Sequence, residues 1–329
     1  MILALETSCD DTCAAVVTHT GEIRSNVVSS QHQHDRFGGV VPEIAGRHHL
    51  ELVNVVVDRA LADAGTDLDG IDLVAVTQGP GLVGALLIGV ATAKGIAAAR
   101  RLALAPVDHL QGHIAANFLA PDPLEPPFLC LIASGGHTLL CQVDDHAGHQ
   151  VIGRTLDDAS GEAFDKGARL LGLGYPGGAR LSALAAEGDA SAFTFPTGAR
   201  VAGLDFSFAG LKTALLYTTR DLGPDETSRR AADLAASYED AIVRALIDRI
   251  ERALDATGAE KLAIGGGVAA NRLLRERVSA LGVPQIKIPP PALCTDNAAM
   301  IGSAARWAPR LEFPHYLALD AYATRRRAA

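Results

Sequence analysis

Two histidines separated by three residues, His109 and His113, are the strongest chemical signal in the sequence. Residues at positions i and i+4 of a helix lie on one face, so both imidazoles can converge on one metal ion. The spacing resembles the zinc-protease motif H-E-x-x-H, but Leu110 stands where those enzymes carry their catalytic glutamate. The pair predicts a metal site that lacks the general base of a protease, with two purely structural histidines as the alternative.

Spacing alone does not identify a third ligand for this pair. Asp296 is a candidate because it begins the expected last helix, directly after Cys294 and Thr295. A helix N-cap, a position that Asp favours, is the competing interpretation of Asp296. A His/His/Asp set with open coordination positions would suit a Lewis-acid metal, and non-haem iron is one option.

Two glycine-rich turns could bind phosphate. Ser134-Gly135-Gly136 lies between two expected strands, and Gly265-Gly266-Gly267 lies between an expected strand and a helix. Glycine lets backbone amides approach a phosphate, and a helix N-terminus favours negative charge, although ordinary tight turns are the alternative. The sequence contains neither a P-loop nor a Rossmann fingerprint. By analogy of fold, the turns point to a nucleotide in an actin-like or sugar-kinase-like protein.

A few further polar residues could contact a substrate or move a proton. Asp165 lies three positions after Glu162 on an expected helix, where it could bind a substrate hydroxyl or amine. Favourable charge at the helix start is the alternative for this pair. Asn271 follows the triple glycine and could cap its helix or donate to a ligand. Glu6 and Asp10, in the turn of the first hairpin, are candidate general bases, or they could orient or exclude water near a phosphate. The role of general base stays unassigned.

The elements that position these residues are predicted to be the strands and helices of an α/β fold. Apolar runs and turn residues predict strands at 1–5, 14–17, 23–29, 73–77, 128–133, 138–143, 151–156 and 262–264, and helices at 42–64, 83–99, 110–119, 157–171, 231–256, 269–281 and 296–307. The elements repeat one plan, in which strands joined by polar or glycine-rich turns precede helices. We therefore expect an α/β fold of two related lobes with a central cleft. The first lobe is expected to comprise 1–105 plus 295–329, and the second 106–294.

Composition limits the class of protein. The 329 residues exceed one ordinary domain, and the net charge of −9 argues against a surface that grips nucleic acid everywhere. Five scattered cysteines fit neither a disulfide framework nor a zinc ribbon. The apolar stretch 82–99 contains Lys94 and is typical of a buried helix. We expect a cytoplasmic protein without a membrane partner, whose arginine run at 325–327 is either solvated or in contact with RNA.

Short motifs occur in order along nearly the whole chain. They are Glu6-Thr7-Ser8-Cys9-Asp10, Gly79-Pro80-Gly81-Leu82, His109-Leu110-Gln111-Gly112-His113, Ser134-Gly135-Gly136-His137-Thr138, Gly161-Glu162-Ala163-Phe164-Asp165-Lys166, Gly174-Tyr175-Pro176-Gly177-Gly178, Phe206-Ser207-Phe208, Gly210-Leu211-Lys212-Thr213, Gly265-Gly266-Gly267-Val268-Ala269-Ala270-Asn271 and Cys294-Thr295-Asp296-Asn297-Ala298. In this order they resemble the tRNA adenosine threonylcarbamoyltransferase (TsaD) family, formerly called O-sialoglycoprotein endopeptidases. The chain departs from the family pattern at Asp108, where an Asn is usual, and at Gly46, Ala179 and Ala209.

The resemblance implies a fold, a reaction and a set of site residues. It implies a two-lobed actin-like ATPase fold that transfers the threonylcarbamoyl group from threonylcarbamoyl-AMP to the exocyclic amine of adenosine 37 in tRNA. His109, His113 and Asp296 would hold one divalent metal, with Fe²⁺ expected and zinc as the alternative in vitro. The adenylate would be bound by Ile132, Ala133, Ser134, Gly135, Gly136, Asp165, Gly178 and Asn271.

The same resemblance implies partners. These are a smaller pseudo-paralogue of the same fold and a small ATPase subunit. Two alternatives from other functional classes are a metal-dependent glycoprotein endopeptidase, which the absence of a glutamate after His109 opposes, and a nucleotide-binding scaffold subunit.

Overall fold

The computed structural model describes residues 1–324, and the arginine run at 325–327 lies outside this range. The chain divides into two compact units. Unit 1 comprises Met1–Pro126, Asp145–Gly148 and the chain from Asp296 onward. Unit 2 comprises Pro127–Asp144 and His149–Thr295. Each unit contains one five-stranded sheet and its own helices.

Both sheets are built from short, mostly apolar strands. They are Ile2–Glu6 (β1), Asp11–Val17 (β2), Ile23–Ser30 (β3), Leu73–Gly79 (β4) and Ala103–Asp108 (β5) in unit 1, and Phe128–Ala133 (β6), Thr138–Val143 (β7), Gln150–Arg154 (β8), Lys261–Gly265 (β9) and Gln285–Lys287 (β10) in unit 2. The central strands β1 and β6 are completely buried, and all of their residues except Glu6, the last residue of β1, are apolar.

The two sheets have the same topology. In unit 1 the strand order is β3-β2-β1-β4-β5, and in unit 2 it is β8-β7-β6-β9-β10. In each sheet the central strand is antiparallel to the strand that follows it in sequence and parallel to its other neighbour. The expected duplication of one α/β plan is therefore confirmed.

Helices lie between some of the strands and after the last one. They are Pro42–Asp63 (α1), Val83–Arg100 (α2), His109–Ala115 (α3), Ser160–Leu170 (α4), Gly177–Ala185 (α5), Ala209–Arg229 (α6), Ala231–Thr257 (α7), Arg272–Ser279 (α8), Pro291–Cys294 (α9) and Ala298–Ala305 (α10). Gly223, with φ of 76°, interrupts α6 just before Pro224. Short 3₁₀ helices occur at His32–Phe37, Leu68–Gly70, Ala116–Phe118, Gly267–Ala270 and His315–Ala318.

One helix in residues 1–324, α2, has the length and the mean hydropathy (1.4) of a membrane-spanning segment. It packs against α1 and β4, and its residues Val90, Ala93 and Ala97 belong to the hydrophobic core of unit 1. Length and hydropathy alone are therefore weak evidence for a membrane span here.

The boundary between the units lies at 127, whereas the sequence pattern predicts it at 106. β5 pairs in parallel with β4, and α3 packs against α10, so both belong to unit 1. Pro106 lies inside β5, which is the last strand of its sheet, where the missing N–H of a proline is tolerated. The hairpin tip Asp145–Gly148 also belongs to unit 1, where the ring of His146 stacks on Trp307.

Candidate functional site

Three residues far apart in sequence form a candidate metal group in unit 1. Each residue offers one ligand atom, and these three atoms, from His109, His113 and Asp296, lie within 4.8 Å of one another. The Nε2 atoms of His109 and His113 lie 3.5 and 3.3 Å from the same carboxylate oxygen, Oδ1 of Asp296. The structure therefore brings together the three residues that were expected to hold a metal.

Local sequence explains how the two histidines are presented. Asp108 caps α3, with its Oδ1 accepting hydrogen bonds from the backbone N–H groups of Leu110 at 2.9 Å and Gln111 at 3.3 Å. His109 and His113 then occupy the first and fifth positions of the helix, on one face. Gly112 faces α10 so closely that a β-carbon there would lie 2.8 Å from Cδ1 of Ile301. Glycine at this position allows α3 and α10 to approach each other.

Asp296 does not cap the last helix. The N-cap of α10 is Asn297, whose Oδ1 accepts from the backbone N–H of Met300 at 3.0 Å. Asp296 lies in the loop just before this cap. The capping interpretation of Asp296 is therefore wrong, since the neighbouring asparagine takes that role.

The buried imidazole of His113 fits a cation ligand. Its side chain has no solvent exposure, and among residues 1–324 neither ring nitrogen has a hydrogen-bond partner. Asp296 is within ion-pair distance, but the pair lacks hydrogen-bond geometry. An unsatisfied buried polar group is costly. A divalent cation shared with Asp296 and His109 would remove that cost, so the donor set fits a metal.

Glu6 contacts Nδ1 of His109, the ring nitrogen opposite the one that faces Asp296. Its Oε2 lies 2.9 Å from Nδ1 of His109 and accepts the hydroxyl of Thr77 at 2.6 Å, while its Oε1 accepts the backbone N–H of Ser8. Both carboxylate oxygens are thus engaged. The sequence suggests a general base, or a carboxylate that orients or excludes water, but no contact with His109, because nothing in the sequence links Glu6 to a residue 103 positions away.

Electrostatics in this group favour the charged forms. Burial raises the pKa of Glu6, but attraction to His109 and the hydrogen bonds outweigh burial and leave the pKa below its ordinary value. Burial lowers the pKa of His109, but the negative charges of Asp296 and Glu6 outweigh it and raise the pKa to about 9. The negative charges of Asp296 and Glu6 therefore stabilise a positive charge on the ring of His109.

The Ser134-Gly135-Gly136 turn in unit 2 is open at its tip. The backbone N–H of Ser134 donates to the carbonyl of His137 at 2.8 Å, and the Ser134 hydroxyl accepts the N–H of His137 at 3.1 Å. A β-carbon on Gly135 or Gly136 would meet no atom within 4 Å. Ile132 and Ala133, which precede the turn, are completely buried at the end of β6.

The second glycine turn packs beside the first. Gly266 has φ of +87°, and a β-carbon there would overlap the backbone carbonyl of Ala133. Gly161, in the first turn of α4, donates its N–H to the carbonyl of Ser134 at 3.1 Å. The two turns that were expected to bind phosphate are therefore neighbours within unit 2, next to the N-terminus of α4.

The remaining expected ligands gather around α5. Oδ1 of Asp165 accepts the backbone N–H groups of Gly177 at 2.8 Å and Gly178 at 3.2 Å, so it holds the first turn of α5. Asn271 caps α8 through Leu274, and its Nδ2 donates to Ser182 on α5 at 2.9 Å.

The capping role considered for Asn271 is thus confirmed. Its Nδ2 also donates to the buried carboxylate of Glu239 on α7 at 2.6 Å. Sequence reasoning missed Ser182 and Glu239, because neither belongs to a recognisable motif.

Solved structures share the fold of this chain. Full-length HypF in its phosphate- and nucleotide-bound form matches 93% of this chain and 54% of its own, with a TM-score of 0.57 and 15% identity. Component A of the (R)-2-hydroxyglutaryl-CoA dehydratase of Acidaminococcus fermentans matches 93% of this chain and 96% of its own, with a TM-score of 0.54 and 15% identity. At such identities the likeness concerns the fold alone, which is that of the actin-like ATPases and sugar kinases.

Sequence comparison identifies the family. The family described as "TsaD: tRNA N6-adenosine threonylcarbamoyltransferase" matches residues 22–303. A protein of that name from Clostridium perfringens is 50% identical over 310 residues, which cover 93% of this chain and 91% of the relative. Another from Symbiobacterium thermophilum is 49% identical over 325 residues, covering 98% and 95%. The chain belongs to this family, a family of transferases that modify tRNA, and the resemblance stated from the motifs is confirmed.

Proposed function

We propose that the chain transfers the threonylcarbamoyl group from threonylcarbamoyl-AMP to the exocyclic amine of adenosine 37, in tRNAs that read codons starting with A. We assign a metal to His109, His113 and Asp296. The observation that carries this assignment is the buried His113, whose ring nitrogens lack a hydrogen-bond partner in residues 1–324 although a carboxylate lies 3.3 Å away. Two imidazoles and one carboxylate suit Fe²⁺ in the cell, with zinc as a substitute in vitro.

Glu6 sets the protonation of His109 for this role. A metal needs the lone pair of Nε2, so the proton of a neutral His109 has to lie on Nδ1. Glu6 accepts that N–H at 2.9 Å and is itself held by Thr77, which fixes both the tautomer and the orientation of the ring. A bound divalent ion would supply Lewis-acid stabilisation of negative charge on a substrate oxygen. Because Glu6 is committed to His109, we assign it no role as general base.

We propose that the glycine turns of unit 2 hold the adenylate. The residues are Ile132, Ala133, Ser134, Gly135, Gly136, Asp165, Gly178 and Asn271. The open tip at Gly135 and Gly136 supports this, because backbone N–H groups there can reach a phosphate without a side chain in the way. Asp165 holds Gly178 in place, and Asn271 ties α8 to α5, so both act by fixing the backbone around the ligand.

The reaction needs positioning and charge stabilisation. The bond from the adenosine N6 to the carbamoyl carbon forms as the bond from that carbon to the phosphate oxygen of AMP breaks. N6 loses one proton in this step, which passes to water, and AMP leaves with the electron pair of the broken bond. Backbone N–H groups of the turns can offset the negative charge on the departing phosphate. Holding both reactants together lowers the entropic part of the barrier.

We further propose that the chain works in the cytoplasm with two smaller proteins, a pseudo-paralogue of the same fold and a small ATPase. Family membership supports this part of the proposal. Co-purification of the tagged full chain with both proteins from a cell extract, and its loss when the tag is placed on an unrelated protein, tests it.

Nucleoside mass spectrometry after depletion of the gene tests the function. Total tRNA should lose threonylcarbamoyl-adenosine, and the wild-type gene should restore it. His109→Ala should not restore it, because the metal group would lose a ligand. His315→Ala, which alters an exposed histidine at the surface of unit 1, is the matched control and should restore it fully. Full restoration by His109→Ala would overturn the metal assignment.

A further inference from the structure

A C-terminal arm, residues 320–323, pairs with the chain at the end of β4. The backbone N–H of Tyr322 donates to the carbonyl of Gln78 at 3.2 Å, and the N–H of Gly81 donates to the carbonyl of Ala323 at 3.2 Å. The side chain of Gln78 donates in turn to the carbonyl of Asp320 at 2.8 Å. Three hydrogen bonds therefore hold the arm against β4 and the turn that follows it.

The ring of Tyr322 is seated on Gly79. A β-carbon at Gly79 would overlap the backbone oxygen of Tyr322, and it would lie 2.7 and 2.8 Å from two atoms of the ring. Gly79 also has a φ of +155°, which side-chain-bearing residues rarely adopt. The position of the Tyr322 ring is thus fixed by a close contact that only glycine allows.

With its ring in this position, the hydroxyl of Tyr322 contacts Asp108, the N-cap residue of α3. It donates to Oδ2 of Asp108 at 2.8 Å. The other oxygen of the same carboxylate, Oδ1, caps α3 through Leu110 and Gln111. His109 is the next residue along the chain. One carboxylate therefore connects the C-terminal arm to the first turn of the helix that carries both histidines of the metal group.

We propose that Tyr322 is a positioning residue for metal binding. By holding Oδ2 of Asp108, it fixes the rotamer in which Oδ1 caps α3, and so it sets the orientation of His109 toward Asp296. Hydrogen bonds to carboxylates are among the stronger kinds, so the loss of this one should leave the carboxylate of Asp108 less well oriented. This inference rests on the metal site in the proposed function and adds to it a residue that no motif contains.

The residue type at 108 provides a conservative test. In Asp108→Asn, the amide oxygen can cap α3 while the NH₂ group donates to the hydroxyl oxygen of Tyr322. The link is kept with its direction reversed. In Asp108→Ala, both the cap and the link are lost.

The experiment is a double-mutant cycle on metal affinity in the purified full chain. Each metal-free variant is titrated anaerobically with Co²⁺ against a competing chelator, and binding is followed by the visible absorption of the bound ion. Tyr322→Phe keeps the ring on Gly79 and should weaken Co²⁺ binding about 3- to 10-fold. This is less than the roughly 10- to 100-fold typical of a direct partner of a ligating histidine, because Tyr322 acts through Asp108. Asp108→Asn should stay within about 3-fold of wild type, because the link is kept. Tyr217→Phe, at an exposed tyrosine of unit 2, is the control and should change nothing.

The cycle separates positioning from general stability. If Tyr322 acts through Asp108, adding Tyr322→Phe to Asp108→Ala should weaken binding no further. Equal affinities of Tyr322→Phe and wild type, or additive losses in the double variant, would overturn the proposal. A wild-type chain that binds no Co²⁺ and no Fe²⁺ would instead contradict the metal site itself, and with it this inference.

Discussion

Replacing Glu6 by glutamine should weaken metal binding while leaving the fold intact. The carboxylate accepts three hydrogen bonds, from His109, Thr77 and the backbone of Ser8. Glutamine has the same shape but only one acceptor oxygen. If that oxygen faces Ser8, the NH₂ group faces the N–H of His109, and two donors oppose each other. If it faces His109, the N–H of Ser8 loses its partner instead.

Either placement leaves one buried donor unsatisfied, at a cost of about 1–3 kcal/mol. In the first placement, His109 can avoid the clash by moving its proton to Nε2, the nitrogen that a metal needs. We therefore expect Glu6→Gln to weaken Fe²⁺ or Co²⁺ binding about 10- to 100-fold, the range typical of an outer-shell partner of a ligating histidine. This corresponds to about 1.4–2.8 kcal/mol.

Anaerobic competition titration with a chelator measures this affinity, and circular dichroism of the metal-free protein checks the fold. Glu22→Gln, at an exposed position in unit 1, is the matched control and should bind the metal like wild type. An affinity of Glu6→Gln within twofold of wild type would refute the reasoning. If transfer activity were lost at unchanged metal affinity, Glu6 would act in the chemistry instead, as a general base would.

Three further perturbations test other parts of the structure. Asn271→Ala removes the cap of α8 and the hydrogen bonds to Ser182 and Glu239. We expect the free energy of unfolding in urea to fall by about 1–2 kcal/mol and calorimetry to show weaker binding of AMP. An unchanged AMP affinity would contradict the role of Asn271 near the ligand. Gly266→Ala places a β-carbon against the carbonyl of Ala133, at a residue with a positive φ. The midpoint of thermal unfolding of this variant should therefore fall by several degrees. A midpoint equal to that of wild type would argue against this packing of the glycine turns. Burial raises the pKa of Asp11 to about 6, against about 3.9 in unfolded chains, so its ionisation destabilises the fold as the pH rises through this range. Metal-free Asp11→Asn should therefore be about 1–2 kcal/mol more stable than wild type at pH 8 and no more stable at pH 4, and a difference independent of pH would rule this out.

The sequence predicts most of the central strands because each contains a continuous apolar run. β1 and β6 have this pattern, and their turns carry glycine or acidic residues. β5 and β10 are not predicted. β5 contains a proline that is tolerated only because the strand lies at the edge of its sheet, and β10 has three residues, too few for a periodic pattern.

The candidate site is predicted unevenly for a similar reason. His109 and His113 share a helix face, so their spacing alone reveals them. Asp296 and its neighbour Asn297 are both good capping residues, and only the fold shows which of them caps α10. Glu6 contacts His109 of α3, and Tyr322 contacts Asp108, the N-cap of α3; both contacts join residues far apart in sequence. Local patterns do not encode such contacts, which therefore need the structure.

The most direct test of the central claim is transfer measured in vitro with preformed threonylcarbamoyl-AMP. The purified full chain, with its two proposed partner proteins and unmodified tRNA, is assayed by mass spectrometry of the digested nucleosides. With Fe²⁺ restored we expect threonylcarbamoyl-adenosine to form, and we expect it to fall at least about tenfold after chelation or with His113→Ala. Equal product from the chelated enzyme, the His113→Ala variant and the metal-loaded wild type would contradict the claim that this metal group serves the transfer.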